Sequence, residues 1–234
     1  MEAKRVDHWL RRAGQLLLAP RCLACGEPGA DGLDLCRACT EALPWNRAAC
    51  PRCALPTPHG DRCGACLQAP TPMTATYAAC VYGLPLDRLV PRFKFHQDLA
   101  CGRLLAELMT RSLATVERPD ALIPIPLHAS RLRQRGYDQA LELARPLGRA
   151  LDLPLLERVL IRQRETAPQS ELDAAARRRN LRGAFAVQAR DMLPAHVALV
   201  DDVMTTGATL QAAAQVLLRA GVQRVDAWVC ARSP

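Results

Sequence analysis

Two carboxylates, Asp201 and Asp202, stand side by side and lead into Thr205, Thr206, Gly207, Ala208 and Thr209. A glycine turn that opens a helix offers backbone N–H groups to an anion. The hydroxyls of Thr205, Thr206 and Thr209 would add donors, which together make a cradle for one phosphate. The two acids would repel a polyphosphate laid over them. They suit a pair of hydroxyls, or a metal ion, next to the phosphate. A ribose 5-phosphate has that layout. The plain alternative is a threonine helix cap beside two loop acids. The order of strand, acid, acid, turn and helix favours the functional reading.

A second chemistry is concentrated near the N-terminus. Eight of the 11 cysteines form four C-x2-C pairs: Cys22 and Cys25, Cys36 and Cys39, Cys50 and Cys53, Cys63 and Cys66. One pair can place two thiolates on a metal, and two pairs complete a tetrahedral four-cysteine zinc site. Four pairs supply two Zn2+ ions with no ligand left over. Sequential pairing is the simplest connectivity, and crossed pairing stays open. With all positions filled by thiolate, such zincs are structural, standing in for a hydrophobic core in a short polar segment. Cys80, Cys101 and Cys230 sit in apolar contexts and read as small buried hydrophobes.

Composition narrows the class. No apolar run reaches the roughly 18–20 residues of a membrane span. The N-terminal stretch is basic with a brief leucine cluster and no small-residue cleavage site, so it does not read as a signal peptide. A cytoplasmic protein is expected. The first 20 residues form an amphipathic helix in this reading, packed on the protein or associating with a surface such as the inner face of the membrane. Net charge is +8, and residues 118–190 hold 14 Arg against 8 acids. A basic middle beside an anion turn suggests a phosphorylated ligand or nucleic acid. Neither G-x4-G-K-[ST] nor G-x-G-x-x-G occurs, which leaves nucleotide hydrolysis and dinucleotide binding with little support.

These groups need a frame. The expected division is an N-terminal helix at 1–20, a double zinc ribbon at 21–70 and an α/β domain at 71–234. Strands are expected at 76–83, 121–126, 155–162, 184–187, 197–200 and 224–231. Helices are expected at 85–116 with a break at Pro91, at 137–151 with a kink at Pro146, at 171–183 and at 208–220. Strands alternating with helices imply a mainly parallel, Rossmann-like sheet covered on both faces, with ligands at the C-terminal strand ends. Asp201 and Asp202 fall at such an end.

The segment "VALVDDVMTTGAT" resembles the phosphoribosyl-diphosphate (PRPP) signature of type I phosphoribosyltransferases. With the cysteine pairs, "RFKF", "PIPLHASRLRQRGYDQA" and "RQRETAPQSELDAAARRRNLRGAF", the chain resembles the ComF, or GntX-type, family from about residue 22 to 231. The resemblance implies a double zinc ribbon before a phosphoribosyltransferase domain. It places Asp201 and Asp202 on ribose hydroxyls and residues 205–209 on the 5-phosphate. It sets Leu127, His128 and Ala129 in the pyrophosphate loop, with Arg131, Arg135 and Gln139 just beyond. Asp138 stands where the family often has Asn, which puts that side chain's role in question. Lys94 is a further candidate for the diphosphate, and the run at 177–180 a candidate for diphosphate or DNA backbone. Mg2+ would accompany PRPP. The family's link to competence implies single-stranded DNA and competence-machinery proteins such as a DNA-translocating helicase as partners. Two functions follow: transfer of the ribosyl group to an unknown acceptor, or PRPP sensing or DNA binding without transfer.

Overall fold

The computed structural model describes residues 20–164, 183–188 and 192–234. The expected helices at 1–20 and 171–183 lie, but for their last residues, outside the described residues, as does the run at 177–180. Two five-residue helices, α1 (Arg37–Glu41) and α2 (Gly64–Gln68), belong to the cysteine-rich part. There follow β1 (Thr76–Val81), α3 (Leu86–Phe95), α4 (Leu99–Leu113), β2 (Ala121–Pro124), α5 (Ala129–Arg135), α6 (Gln139–Leu151), β3 (Leu160–Arg162), β4 (Phe185–Val187), β5 (His196–Met204), α7 (Ala208–Arg219) and β6 (Arg224–Arg232).

Four strands form a wholly parallel sheet in the order β1-β6-β5-β2. Alternation along a strand sends successive side chains to opposite faces, and the core follows it. Val197 and Leu199 of β5, with Val225, Ala227 and Val229 of β6, pack with Leu210, Ala213, Ala214 and Leu217 of α7. Ala198 and Val200, with Trp228 and Cys230, pack on the other face with α3, α4 and α6. The α/β expectation therefore holds for this sheet. The segments expected as strands at 155–162 and 184–187 behave differently. Only 160–162 and 185–187 are strand, and they form a separate antiparallel pair. Leu155 contributes one parallel bridge to Leu122 at the sheet edge.

The helix expected over 85–116 is two helices, and the break lies at 96–98, not at Pro91. Pro91 sits inside α3. Asp98 ends the continuity by capping α4, where its carboxylate accepts the Cys101 N–H at 3.2 Å. Such a cap is worth about 1 kcal/mol. Asp98 also takes both Nε and Nη2 of Arg92, at 3.1 and 2.7 Å.

The cysteine-rich part straddles the β1 edge. Its connecting segment runs along β1: Val81 donates to Pro44 O, Asn46 to Ala79 O and Thr76 to Pro51 O, at 2.7, 3.1 and 2.9 Å. An open sheet edge is thereby covered. The half before this segment places Cys22, Leu33, Leu35 and Leu43 in the α4-side core, and the half after it places Cys50, Cys53, Ala54 and Cys63 in the α7-side core. Here the structure departs from the sequence reading. The ribbons do not merely replace a core with metal, because their buried side chains extend the two cores of the sheet.

Candidate functional site

The cysteines form two groups, Cys22, Cys25, Cys36 and Cys39, and Cys50, Cys53, Cys63 and Cys66. Pairing is sequential. The ligand atoms of each group lie within 4.8 Å of one another. The sulfurs of Cys25 and Cys36 are 3.7 Å apart, and those of Cys53 and Cys63 3.5 Å. A tetrahedron with Zn–S bonds of about 2.3 Å has sulfur–sulfur edges of about 3.8 Å. The two sites repeat one design. Cys22 N–H reaches Glu27 O and Gly26 N–H reaches Cys22 O; Cys50 N–H reaches Leu55 O and Ala54 N–H reaches Cys50 O. The second pair of each site starts a short helix capped at Cys36 or Cys63. Burial opposes ionisation of Cys22 and Cys50, yet backbone N–H groups directed at each sulfur outweigh it and bring both down to about 6. Burial and neighbouring sulfurs push Cys39 and Cys66 up. Four thiolates this close are compatible only with a cation among them. The residues present fit two structural Zn2+ ions.

The acids lie elsewhere, at the C-terminal end of the parallel sheet. They are within β5, which runs on to Met204, not beyond it. Asp202 is 4% exposed and Asp201 half-buried. They line a cavity of about 180 Å³ together with Lys94, Leu127, Arg131, Arg135, Asp138, Gln139, Arg162 and Thr209. Several parts of the chain bring these residues to one place. β5 supplies the acids. α3 ends there with Lys94, whose ammonium meets Asp202 Oδ2 at 2.9 Å. The β2–α6 connection supplies Leu127, Arg131 and Arg135.

Asp138 organises that connection. Its carboxylate accepts Leu141 N–H at 3.1 Å, which caps α6, and Leu127 N–H at 2.8 Å, which pins the loop after β2. Both bonds need only an acceptor, so an anion serves where an amide would. Burial raises the Asp138 carboxyl above its ordinary range, the cost of that position. His128 caps α5 through Nδ1, which faces Ser130 Oγ at 2.8 Å, and Ala129 is the first residue of that helix. Arg135 Nη1 donates to Gln139 Oε1 at 2.9 Å.

The electrostatics are poised for a ligand. Burial, and then the charge of Asp202, push Asp201 up to about 7 against the pull of Lys94. Burial would lower Lys94, but Asp202 and Asp201 override it and hold it above its ordinary value. Burial, and then nearby Arg131, lower Arg162. Cations and carboxylates therefore share one small cavity.

The turn after β5 has Gly207 at φ +72°, and a Cβ there would collide with the Met204 methyl. α7 begins with no strong side-chain cap; Thr206 Oγ1 accepts Ala208 N–H only at 3.4 Å. The N-terminal end of α7, with its partial positive charge, faces the turn. Thr209 lines the cavity, whereas Thr205 and Thr206 are exposed on the turn beside it. Sequence reasoning did not single out Arg162. Its one signal is a cation closing a short apolar run, and only the β3–β4 pair aims it at the acids.

Residues 13–67 match the double zinc ribbon domain family. The chain is 35% identical over 223 residues to the DNA utilization protein YhgH of Escherichia coli O157:H7, covering 91% of this chain and 96% of that protein. The chain belongs to the ComF family. Competence protein F of Haemophilus influenzae is 37% identical over 183 residues, 75% of this chain and 80% of that one. Competence protein ComFC of Streptococcus pneumoniae is 26% identical over 155 residues, 66% and 67% of the two chains. For this ComF-family chain no described helix is long and apolar enough to cross a membrane.

Proposed function

We propose that the chain binds PRPP, or another 5-phosphorylated ribose, as part of the use of DNA taken up by the cell. One observation carries the reading. A pair of acids at a parallel strand end, one buried and one half-buried, shares a cavity with Lys94, Arg131, Arg135 and Arg162, next to the weakly capped start of α7. The acids would take the 2- and 3-hydroxyls, and the Gly207 turn with Thr205, Thr206 and Thr209 the 5-phosphate. The arginines and the loop at Leu127, His128 and Ala129 would take the diphosphate. Mg2+ would ride on the diphosphate with several waters. Among the described residues Asp201 is in no ion pair, so it is the carboxylate best suited to add a ligand or to receive a ribose hydroxyl. In a transfer reaction a nitrogen nucleophile would attack C1 as diphosphate leaves, and the cations of the cavity would stabilise the departing charge. The names of the relatives, DNA utilization and competence, support the DNA link. They also favour a second form of the reading, in which the ribose site senses PRPP while the protein handles single-stranded DNA.

Calorimetric titration of the zinc-loaded protein with PRPP, with and without Mg2+ and single-stranded DNA, tests this. Binding is expected, and it should weaken about 100-fold or more in Asp201→Ala/Asp202→Ala, since each hydrogen bond to a charged group contributes about 1.5–3 kcal/mol. An unchanged affinity in the double variant sinks the assignment. Diphosphate release on adding nucleobases or amines would select transfer; PRPP binding without release would select sensing.

A further inference from the structure

The four residues of "RFKF" have four different fates. Arg92 leaves α3 to donate to Leu23 O at 2.5 Å and to Asp98, which ties the first ribbon to the helix. Phe93 is fully buried, filling the space left by the missing side chain of Gly102, and meets the Tyr137 ring at 5.6 Å. Lys94 reaches into the cavity to Asp202. Phe95 turns outward and is 64% exposed.

What lies over that ring is Arg135. Its guanidinium carbon is 5.2 Å from the Phe95 centroid. The same arginine lines the cavity that holds Asp201 and Asp202. Its position is fixed from two sides: Nη1 donates to buried Gln139, and its carbonyl accepts from Gln97 Nε2 at 3.4 Å. Phe95 is similarly fixed, one residue from the Lys94 ion pair and two from the core ring of Phe93. Leu132, one helical turn before Arg135 on α5, is also exposed. A planar cation backed by an aromatic ring at the rim of a sugar-phosphate cavity has an obvious complement. Guanidinium planes and aromatic rings both stack on nucleobases, and do so without strong base preference.

We infer that the Arg135–Phe95 pair is a stacking platform for an aromatic base carried on C1 of the ribose, so that the site takes 5′-phosphorylated nucleosides. The inference rests on the ribose-phosphate reading of the cavity and names what is joined to the sugar. It moves Arg135 from the diphosphate to the base side and leaves Arg131, Arg162 and Lys94 for phosphate. The acids specify hydroxyls, so a ribonucleotide is preferred to its 2′-deoxy counterpart. The same chemistry has two sources, a free nucleoside monophosphate and the terminal nucleotide of a 5′-phosphorylated strand.

The experiment titrates zinc-loaded full-length protein with ribose 5-phosphate, AMP, CMP, dAMP and a short 5′-phosphorylated DNA strand. AMP is expected to bind about tenfold tighter than ribose 5-phosphate, and CMP by a smaller factor. Phe95→Ala should erase that advantage and leave ribose 5-phosphate affinity unchanged, while Phe95→Tyr should retain it. Because Phe95 is largely exposed, the alanine variant should fold, as equal ribose 5-phosphate binding would itself demonstrate. If ribose 5-phosphate binds but AMP binds no tighter, or if Phe95→Ala weakens both alike, the platform is wrong and the cavity assignment stands. If neither ligand binds, both fall. Tighter binding of the phosphorylated strand than of dAMP assigns the platform to DNA ends; equal binding assigns it to free nucleotides.

Discussion

Asp201→Asn should make the protein more stable while making its site worse. Asp201 has a carboxyl pushed up to about 7 from an ordinary 3.8, by burial and by Asp202 beside it. At 1.36 kcal/mol per pH unit, a rise of about three units corresponds to about 4 kcal/mol of penalty for the ionised form. Asp201 interacts with neighbouring carboxylates and relaxation spreads the cost, so about half, roughly 2 kcal/mol, is expected on replacing it. The sign follows from proton binding. Between about pH 4 and 7 the native chain holds a proton that the unfolded chain has lost, so native stability falls as pH rises through that window. Asparagine mimics the protonated side chain and keeps an oxygen to accept the Asp202 N–H, which Asp201 Oδ1 accepts at 2.9 Å. For a chain of this size about 2 kcal/mol is roughly 4–8 °C in Tm. Thermal unfolding of zinc-loaded wild type and variant at pH 8 should show that gain, and at pH 5.5, about halfway through the window, roughly half of it should remain. Both proteins carry the same zinc sites, so acid effects on the cysteines cancel in the difference. A variant less stable than wild type at pH 8, or a gain independent of pH, would falsify the strained-carboxylate account.

Other consequences can be measured directly. Lys94→Ala should cost about 3 kcal/mol in urea denaturation, because it strands the buried Asp202 charge, and adding Asp202→Asn should recover much of that loss; purely additive effects would mean the pair is not coupled. Gly207→Ala should cost about 1–2 kcal/mol from its left-handed backbone and the Met204 methyl, and should weaken ribose 5-phosphate binding at least tenfold; wild-type affinity in that variant would remove the turn from the phosphate site. Metal analysis should give two zincs per chain, and stripping them should loosen the α/β part as well as the ribbons, seen as loss of near-ultraviolet dichroism from Trp228. Arg232 is the link to watch: buried, it donates to Cys53 O at 2.9 Å and to Met204 O at 3.3 Å, so Arg232→Ala should weaken ligand binding with both zincs retained.

Much of the site could be read before any coordinates. The paired acids, the glycine that must take a positive φ, and the four C-x2-C pairs are local features, and local spacing fixes what one turn or knuckle can hold. Strands β5 and β6 were equally legible, because unbroken apolar runs are what a sheet buried on both faces requires. The helix break was misplaced for a local reason: Pro91 is a louder signal than Asp98, yet α3 runs on through it with one backbone hydrogen bond forgone, and a capping acid decides where the next helix begins.

What the residues alone left open were choices between partners distant in sequence. They permitted crossed or sequential zinc pairing, and the fold selected the sequential one by seating one ribbon on each face of the sheet. They marked Lys94 as rare without saying whether it pointed to solvent, and the end of α3 aimed it at Asp202. They gave no reason to notice Arg162 or Phe95, since a lone cation or ring acquires meaning only from what packs against it. Sequence spacing specifies the ligand atoms, whereas burial and cross-element contacts, which depend on chain segments tens of residues apart, determine their charge, direction and company.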